Sequence, residues 1–347
     1  MPVRLWLAFR NIVSSPWARV AGTAGGVMLL VHTVDWKSAM GSLSHANPVF
    51  LVGAMGLTCL AVVASVVEWG VLLRTAPVTA GPHHHSVLAW RRLGSSYLQS
   101  LFFTQIVPAG VGGDAMRAVE MGHHVGHGRL FASLAGSRLA GMFGMACWGL
   151  AAAILLRSFL GTGVLIGACI MAGVVILFWT GALTADRFVP HRLLQSGVWV
   201  VRKAVHGMHS LCEAFAAYRR HPHAVAQCLL VGAAGWGVNL LALTLAAKAI
   251  GVDLSWTVFA IAIPLTLLAA LAPFSVNGLG LREGVLVGLL THAGISSGHA
   301  GAVALLIDLQ MVPFAIIGAV LWMRHRSKKI RPIAAVMGPV PAGAPPA

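Results

Sequence analysis

Long apolar runs that are almost free of charged residues dominate the sequence. Hydrophobic residues fill 58% of the 347 positions and charged residues 10%, and the mean hydropathy is +0.83. This composition is too apolar for a soluble protein, because a soluble fold needs a charged surface around its core. Runs long enough to cross a bilayer are Val20–Trp36, Pro48–Leu73, Leu130–Leu156, Gly161–Leu183, Val225–Ile250 and Gly301–Met323. We therefore predict an all-α polytopic membrane protein with six to eight transmembrane helices.

Basic residues collect in the short segments between the apolar runs. The formal net charge is +15, but no nucleic-acid-binding motif is interleaved with these residues. The positive-inside rule therefore explains them better than a nucleic-acid partner does. Arg4, Arg10 and Arg19 precede the first run, and a basic cluster beginning at Arg324 follows the last one. The pattern predicts cytoplasmic N- and C-termini.

The predicted domain organisation is simple. Residues 1–331 form a single transmembrane domain, which contains a basic cytoplasmic linker over about 186–221. Residues 332–347 are rich in Pro, Ala and Gly and are predicted to be a disordered tail. The five cysteines show no C-x-x-C spacing, so neither a disulfide framework nor a zinc site is indicated.

A Pro/Gly element interrupts the apolar sequence twice. Its copies begin at Pro108 (PAGVGGDAMR) and at Pro273 (PFSVNGLGLR), and Pro, Val, Gly and Arg occur at the same offsets in both. Non-helical backbone is tolerated at membrane depth only where protein surrounds it or where it lines a water-filled cavity. The two copies therefore predict the position of the functional site.

The runs around the two copies predict two broken or re-entrant hairpins. Leu93–Val107, before the first copy, is short for a span and has basic residues on both sides. Trp256–Ala272 and Leu281–Gly294 flank the second copy. Counting the predicted membrane crossings from the N-terminus places the start of the first copy on the cytoplasmic side of the membrane and the start of the second copy on the outer side. This opposition predicts an inverted-topology repeat whose broken helix ends meet in a central polar cavity.

Both copies resemble motifs of the transmembrane domain of the lysylphosphatidylglycerol synthase and flippase family. Members carry a P-x-x-x-G-G-D-x-x-R segment, matched by Pro108–Arg117, and a P-x-S-x-x-G-x-G-x-R-E-G segment, matched by Pro273–Gly284. The resemblance extends from about Val20 to Met323 and includes Arg138 in a Ser-Arg-Leu sequence. It implies a bacterial inner-membrane protein that handles lipids.

The chain departs from the family pattern in three places. Glu68-Trp69 stands where the family often has Arg-Trp, and Asn277 stands where many members have Gly. The sequence has no counterpart of the aminoacyl-transferase domain of the fused synthases, so lysyl transfer to a lipid is not implied. The resemblance implies lipid movement between leaflets without naming the lipid.

A lipid headgroup that crosses the hydrocarbon core needs substitutes for its hydration. For a phosphate these are helix N-terminal amides and arginine guanidinium groups, and both copies offer the two together. We interpret the chain as a translocator of an anionic or zwitterionic lipid, with Arg117 and Arg282 contacting the headgroup from opposite sides. The predicted headgroup-binding residues are Gly110, Gly112, Gly113, Asp114, Arg117, Glu120, Arg138, Asn277, Gly278, Gly280, Arg282 and Glu283.

The same residues also have a purely structural interpretation. The glycines can serve close helix packing, and Asp114, Arg117 and Glu120 can form a local ion-pair ladder on one helix. Glu283, a quarter-turn away from Arg282 on a helix, is expected to pair with another element.

Other polar residues and the tryptophans receive structural roles. Glu68 and Asp308 lie inside apolar runs and are expected to form buried ion pairs, with a coupling proton as the alternative. The histidine clusters His83–His85 and His123–His127 lack Cys or carboxylate residues at ligand spacing, so no metal site is predicted. Tryptophans near the ends of runs are interpreted as interfacial anchors. They include Trp36, Trp69, Trp90 and Trp256.

Two other functions stay open at this point. One is a membrane transferase acting on a lipid phosphate, and the other is a non-catalytic accessory subunit of lipid, hopanoid or glycolipid biosynthesis. The chain has nine acidic residues and neither a D-x-x-D pair nor a nucleophile motif, so we predict a transporter without a cofactor and not an enzyme. The predicted partners are a membrane lipid and the bilayer, with a second copy of the chain or biosynthetic proteins as open alternatives.

Overall fold

The computed structural model describes residues 31–75, 88–106, 112–184, 211–270 and 280–336, with the single positions 25, 28 and 209. These residues are helical and contain no strand. The helices are α1 (Trp36–Ser44), α2 (Pro48–Thr75), α3 (Trp90–Ile106), α4 (Gly112–Val125), α5 (His127–Leu155), α6 (Arg157–Thr184), α7 (Pro222–Ala249), α8 (Trp256–Ala270), α9 (Leu281–His292), α10 (Ser297–Leu309) and α11 (Val312–Val336). Most of the first predicted run and of the predicted linker lies outside the described residues.

Five spans in the described part of the chain are long and apolar enough to cross a membrane. They are Pro48–Thr75, His127–Leu155, Thr162–Thr184, Pro222–Ala249 and Ser297–His325. Helices are the expected solution, because backbone N–H and C=O groups in lipid must be satisfied within the segment itself. Each span coincides with a predicted apolar run, and the prediction of an all-α polytopic membrane protein is confirmed.

The last span consists of two helices. α10 ends at Leu309 and α11 begins at Val312, so the run Gly301–Met323 is broken near its middle. Pro313 provides a physical reason, since it has no N–H to donate to the Leu309 carbonyl. The sequence analysis treated this run as one helix, and the break is a correction to it.

α11 extends past the transmembrane part of the chain. It continues to Val336, four residues beyond the predicted start of the tail at Pro332. Residues 337–347 lie outside the described residues, so the rest of the tail stays a prediction.

The helices form two halves with the same order of elements. The first half is the long helix α2, the hairpin of α3 and α4, and the long helix α5. The second half is the long helix α7, the hairpin of α8 and α9, and the broken pair of α10 and α11. In each half the hairpin helices pack against each other, and the second of them packs against the helix that follows. Each hairpin also packs on a helix of the other half that lies outside its hairpin, α3 on α11 and α8 on α5.

The first helices of the two halves run antiparallel along an extensive interface. At one end the Asn47 N–H donates to the Ala249 carbonyl at 2.7 Å. Toward the other end Gly235 lies against Ala64, and Gly232 lies against the Glu68 carboxyl group. Small residues allow this close approach of α2 and α7. Equivalent helices that run in opposite directions are what an inverted-topology repeat requires.

Candidate functional site

The two Pro/Gly elements lead directly into short helices that carry the predicted arginines. α4 begins at Gly112 and carries Arg117. α9 begins at Leu281, after Gly280 with a φ of 81°, and carries Arg282 on its first turn. A φ in this range favours glycine, which explains the residue type at position 280. The predicted site residues Gly110, Asn277 and Gly278 lie outside the described residues.

Arg117 belongs to an ion-pair cluster with Asp114 and Arg138, which we call the first cluster. Asp114 Oδ1 accepts a hydrogen bond from Arg117 Nη2 at 2.6 Å, and Oδ2 accepts one from Arg138 Nε at 2.8 Å. The Arg117 side chain is 12% exposed and that of Arg138 61% exposed. Two guanidinium groups from different helices thus converge on one carboxylate. The structure therefore brings Arg138 of α5 to the first Pro/Gly element, as predicted.

Two aromatic rings surround the Arg117 guanidinium group. Its Cζ lies 4.9 Å from the ring centroid of Trp69 and 5.2 Å from that of Tyr97, within the range of cation–π attraction. Trp69 is fully buried and donates from Nε1 to the Ser133 hydroxyl at 3.2 Å. The interpretation of Trp69 as an interfacial anchor is therefore wrong. Sequence reasoning missed Tyr97, since no pattern links it to Arg117.

The glycines at the start of α4 let α3 approach closely. A Cβ at Gly113 would overlap Thr104 Oγ1 and lie 2.7 Å from the Ser100 carbonyl oxygen. Gly112 is buried as well. The glycines thus serve packing between the hairpin helices, which the structural interpretation predicted.

Two polar atoms beside the first cluster are buried without a hydrogen-bond partner. They are Arg117 Nε and Glu120 Oε2. Within the described residues Glu120 forms no ion pair with Arg117, so the predicted ladder is limited to Asp114 and Arg117. An unsatisfied buried polar atom costs about 1–3 kcal/mol, so a ligand or water that met these atoms would stabilise the cluster.

Arg282 belongs to a second cluster, with Glu283 and Asp308. Arg282 Nε donates to Glu283 Oε1 at 3.1 Å, and Nη2 donates to Asp308 Oδ1. Glu283 Oε2 accepts the Gly280 backbone N–H at 2.7 Å. The expectation that Glu283 pairs with another element is wrong, because this carboxylate caps the start of its own helix. Asp308 of α10 supplies the contact from another element, and its predicted ion pair is confirmed.

A cavity of about 150 Å³ lies beside the second cluster. Helices α7 to α10 line it. Its polar lining residues are Asn239, Thr266, Arg282, Glu283, Asp308 and Gln310. Arg117 is not among the residues that line this cavity, and none of the hydrogen bonds or ion pairs described above joins the two clusters. The structure brings each cluster together separately, and contact of both arginines with one headgroup stays a prediction.

Glu68 lies where α2, α5 and α7 meet. Its side chain is buried, and Oε1 accepts a hydrogen bond from the Ser137 hydroxyl at 2.7 Å. Gly232 leaves room for the carboxyl group, since a Cβ there would lie 3.1 Å from Oε2. Glu68 forms no ion pair in the part of the chain that the structure describes, so the predicted ion pair is wrong for this residue.

The described residues contain no group of three His, Cys, Asp or Glu side chains that could hold a metal ion. His83–His85 lie outside these residues.

Residues 17–319 match the family described as the lysylphosphatidylglycerol synthase TM region. The match includes both Pro/Gly elements and the helices from α1 to α10. Comparison with curated proteins and with solved structures gives no match. Since the family match covers most of the sequence and both charged clusters, the chain belongs to the lysylphosphatidylglycerol synthase transmembrane-region family.

Proposed function

We propose that this protein moves an anionic or zwitterionic lipid between the leaflets of the bacterial inner membrane. The observation that carries the proposal is the convergence of two arginines from different helices on Asp114, with Arg117 Nε buried and without a hydrogen-bond partner. An unsatisfied donor on a buried cation is costly, and the phosphate of a lipid headgroup is an anionic acceptor that a membrane supplies.

The exposure of the two arginines suggests the order in which a headgroup would meet them. Arg138 is mostly exposed, whereas Arg117 lies beneath it between Trp69 and Tyr97. A phosphate would first contact Arg138 and then share both guanidinium groups in place of Asp114. The planar donor fork of arginine matches phosphate oxygens, which lysine cannot reproduce.

The second half offers the same group to the opposite leaflet. Arg282 lines the cavity beside α9, and the two halves run in opposite directions. Each hairpin packs on a helix of the other half, so movement of one hairpin would displace a helix of the other half. Rocking of the halves would expose Arg117 and Arg282 in turn, which is alternating access by an inverted repeat.

Reconstitution into liposomes tests the proposal. The rate at which labelled anionic, zwitterionic and neutral lipids reach the outer leaflet is compared with that in protein-free liposomes. We expect anionic or zwitterionic lipids to move faster, and Arg117→Ala to slow them roughly 100-fold, because losing a buried charged partner costs about 3 kcal/mol. Arg157→Ala, an exposed arginine at the start of α6, is the matched control. If no lipid moves faster than without protein, the proposal fails.

The proposed orientation places both termini in the cytoplasm. It puts the turn at Arg157 and the loop at Asp253 on the outer side of the membrane. Both side chains are exposed, and that of Asp253 is 87% exposed. Single cysteines at these positions, in a chain without the native cysteines, should react with an impermeant thiol reagent from outside. Reaction only from the cytoplasmic side would reverse the orientation.

A further inference from the structure

Glu283 and Asp308 share one guanidinium group. Arg282 Nη2 lies 3.0 Å from Glu283 Oε1 and also contacts Asp308 Oδ1, so the two carboxylate oxygens lie close to each other. Two carboxylates at such a short separation do not both ionise readily, because like charges repel strongly where the dielectric constant is low. Arg282 balances one of them, and the other needs a further cation.

Asp308 lies at the depth of the hydrocarbon core. It is the twelfth residue of the span Ser297–His325, which has 29 residues. At 1.5 Å per residue α10 rises about 17 Å from Ser297 to Asp308, which places Asp308 next to the break between α10 and α11, near the middle of the span. That position is inside a core of about 30 Å centred on the span. An uncompensated carboxylate is expensive there, so the missing cation is an energetic requirement.

The cavity beside the two carboxylates also presents an unsatisfied donor. Gln310 is 5% exposed, and its Oε1 accepts a hydrogen bond from the Thr58 hydroxyl at 3.2 Å. Its Nε2 is buried without a partner, and the residue lines the cavity. A cavity of about 150 Å³ holds a few water molecules at about 30 Å³ each. Such water would accept from Nε2 and reach the carboxylates.

The missing cation must come from solution. Among the described lining residues, Arg282, Glu283 and Asp308 are the titratable or charged groups, since α7 and α8 contribute only neutral side chains. Metal cations such as Ca²⁺ prefer six or more oxygen ligands. Here the Arg282 guanidinium and the Gln310 amide present N–H donors instead. A proton needs only one carboxylate oxygen.

We propose that the Glu283 and Asp308 pair is a proton-binding site and that lipid translocation is coupled to it; the coupling rests on the proposed function. One proton from water adds to a carboxylate oxygen and forms an O–H bond, and the same bond breaks when the proton returns to water. Protonation removes one of the two charges that hold Arg282. The guanidinium group then becomes available to a lipid phosphate, and deprotonation restores the original pair.

Infrared difference spectroscopy of the full-length protein in liposomes tests proton binding without any transport. Lowering the pH should produce the C=O band of a buried carboxylic acid, and Asp308→Asn and Glu283→Gln should each remove or shift it. Asp253→Asn makes the same chemical change in an exposed loop and should leave the band intact. A band that is absent from the unmodified protein, or unchanged in both site variants, overturns the proposal. Unchanged thermal unfolding shows that the variants are folded.

Coupling is measured in liposomes with a pH gradient and a clamped membrane potential. For one proton per lipid, one pH unit should change the ratio of lipid between the leaflets about tenfold. Asp308→Asn should abolish this change, Asp253→Asn should retain it, and replacing Na⁺ by choline should not alter it. Lipid movement that ignores the gradient, or that requires Na⁺, refutes proton coupling and leaves the proposed function standing. A titrating band without lipid movement supports the proton site and refutes translocation.

Discussion

The two charged clusters occupy equivalent places in the two halves but differ in the third residue that completes each of them. In each half the short hairpin helix contributes one arginine and one carboxylate, which together are formally neutral. The next helix contributes the third group. It is Arg138 in α5 and Asp308 in α10, each the twelfth residue of its helix. The repeat therefore supplies an ion pair twice, and a single position adds an arginine to the first cluster and an aspartate to the second.

The two hairpins also differ in packing. In the first, Gly113 lies so close to α3 that no side chain fits. In the second, Gly284 and Gly288 have no neighbouring atom within 4 Å of a Cβ position, and a cavity lies beside the cluster. The first hairpin is closed around its arginine while the second is open. In the other state of an alternating transporter, the first hairpin would be open and the second closed.

The largest difference between the clusters should appear when each loses an aspartate. Asp114→Asn removes the carboxylate that Arg117 and Arg138 share, and we expect the free energy of unfolding to fall by about 3–5 kcal/mol. Asp308→Asn leaves Arg282 paired with Glu283 and should cost about 1 kcal/mol or less. Unfolding of both variants in the same detergent at pH 7 measures the difference. Equal losses in the free energy of unfolding would show that the third residue of each cluster does not make the two clusters differ in stability.

Glycine-to-alanine substitutions in the two hairpins should differ less in their effect on the free energy of unfolding than the two aspartate substitutions do. Gly113→Ala forces α3 and α4 apart at a close contact and should cost about 1–3 kcal/mol. Gly284→Ala meets open space on a helix, where alanine is favoured over glycine by up to about 1 kcal/mol, and should be neutral or stabilising. Thermal unfolding of the two variants tests this. A destabilised Gly284→Ala variant would mean that the second hairpin is closed as well.

Much of this comparison could be predicted from the sequence. Hydropathy identifies the spans, and the repeated Pro/Gly element identifies both hairpins and the arginines Arg117 and Arg282, because each signal depends only on residues near one another in the chain. The sequence also contains Arg138, and the family resemblance points to it. Its pairing with Asp114 depends on how α4 packs on α5.

What could not be predicted depends on which helix faces meet. Trp69 and Tyr97 surround Arg117 from two different helices, and apolar runs that are hydrophobic on all sides carry no periodic signal for the buried face. The partner of Glu283 was missed for a local reason. Glycine at position 280 lets the chain turn so that this side chain reaches back to the Gly280 N–H and stays beside Arg282.

A small effect on stability should come from Arg138, although its effect on transport should be large. Its side chain is 61% exposed, so Arg138→Ala should change the free energy of unfolding by about 0.2–1 kcal/mol, less at high salt. The variant nevertheless removes the exposed guanidinium group that a headgroup would meet first. Movement of anionic lipids should therefore slow while unfolding barely changes, with Arg157→Ala as control for both measurements. If Arg138→Ala destabilises the protein as much as Asp114→Asn does, Arg138 is part of the folded core, and its guanidinium group is not available to a lipid.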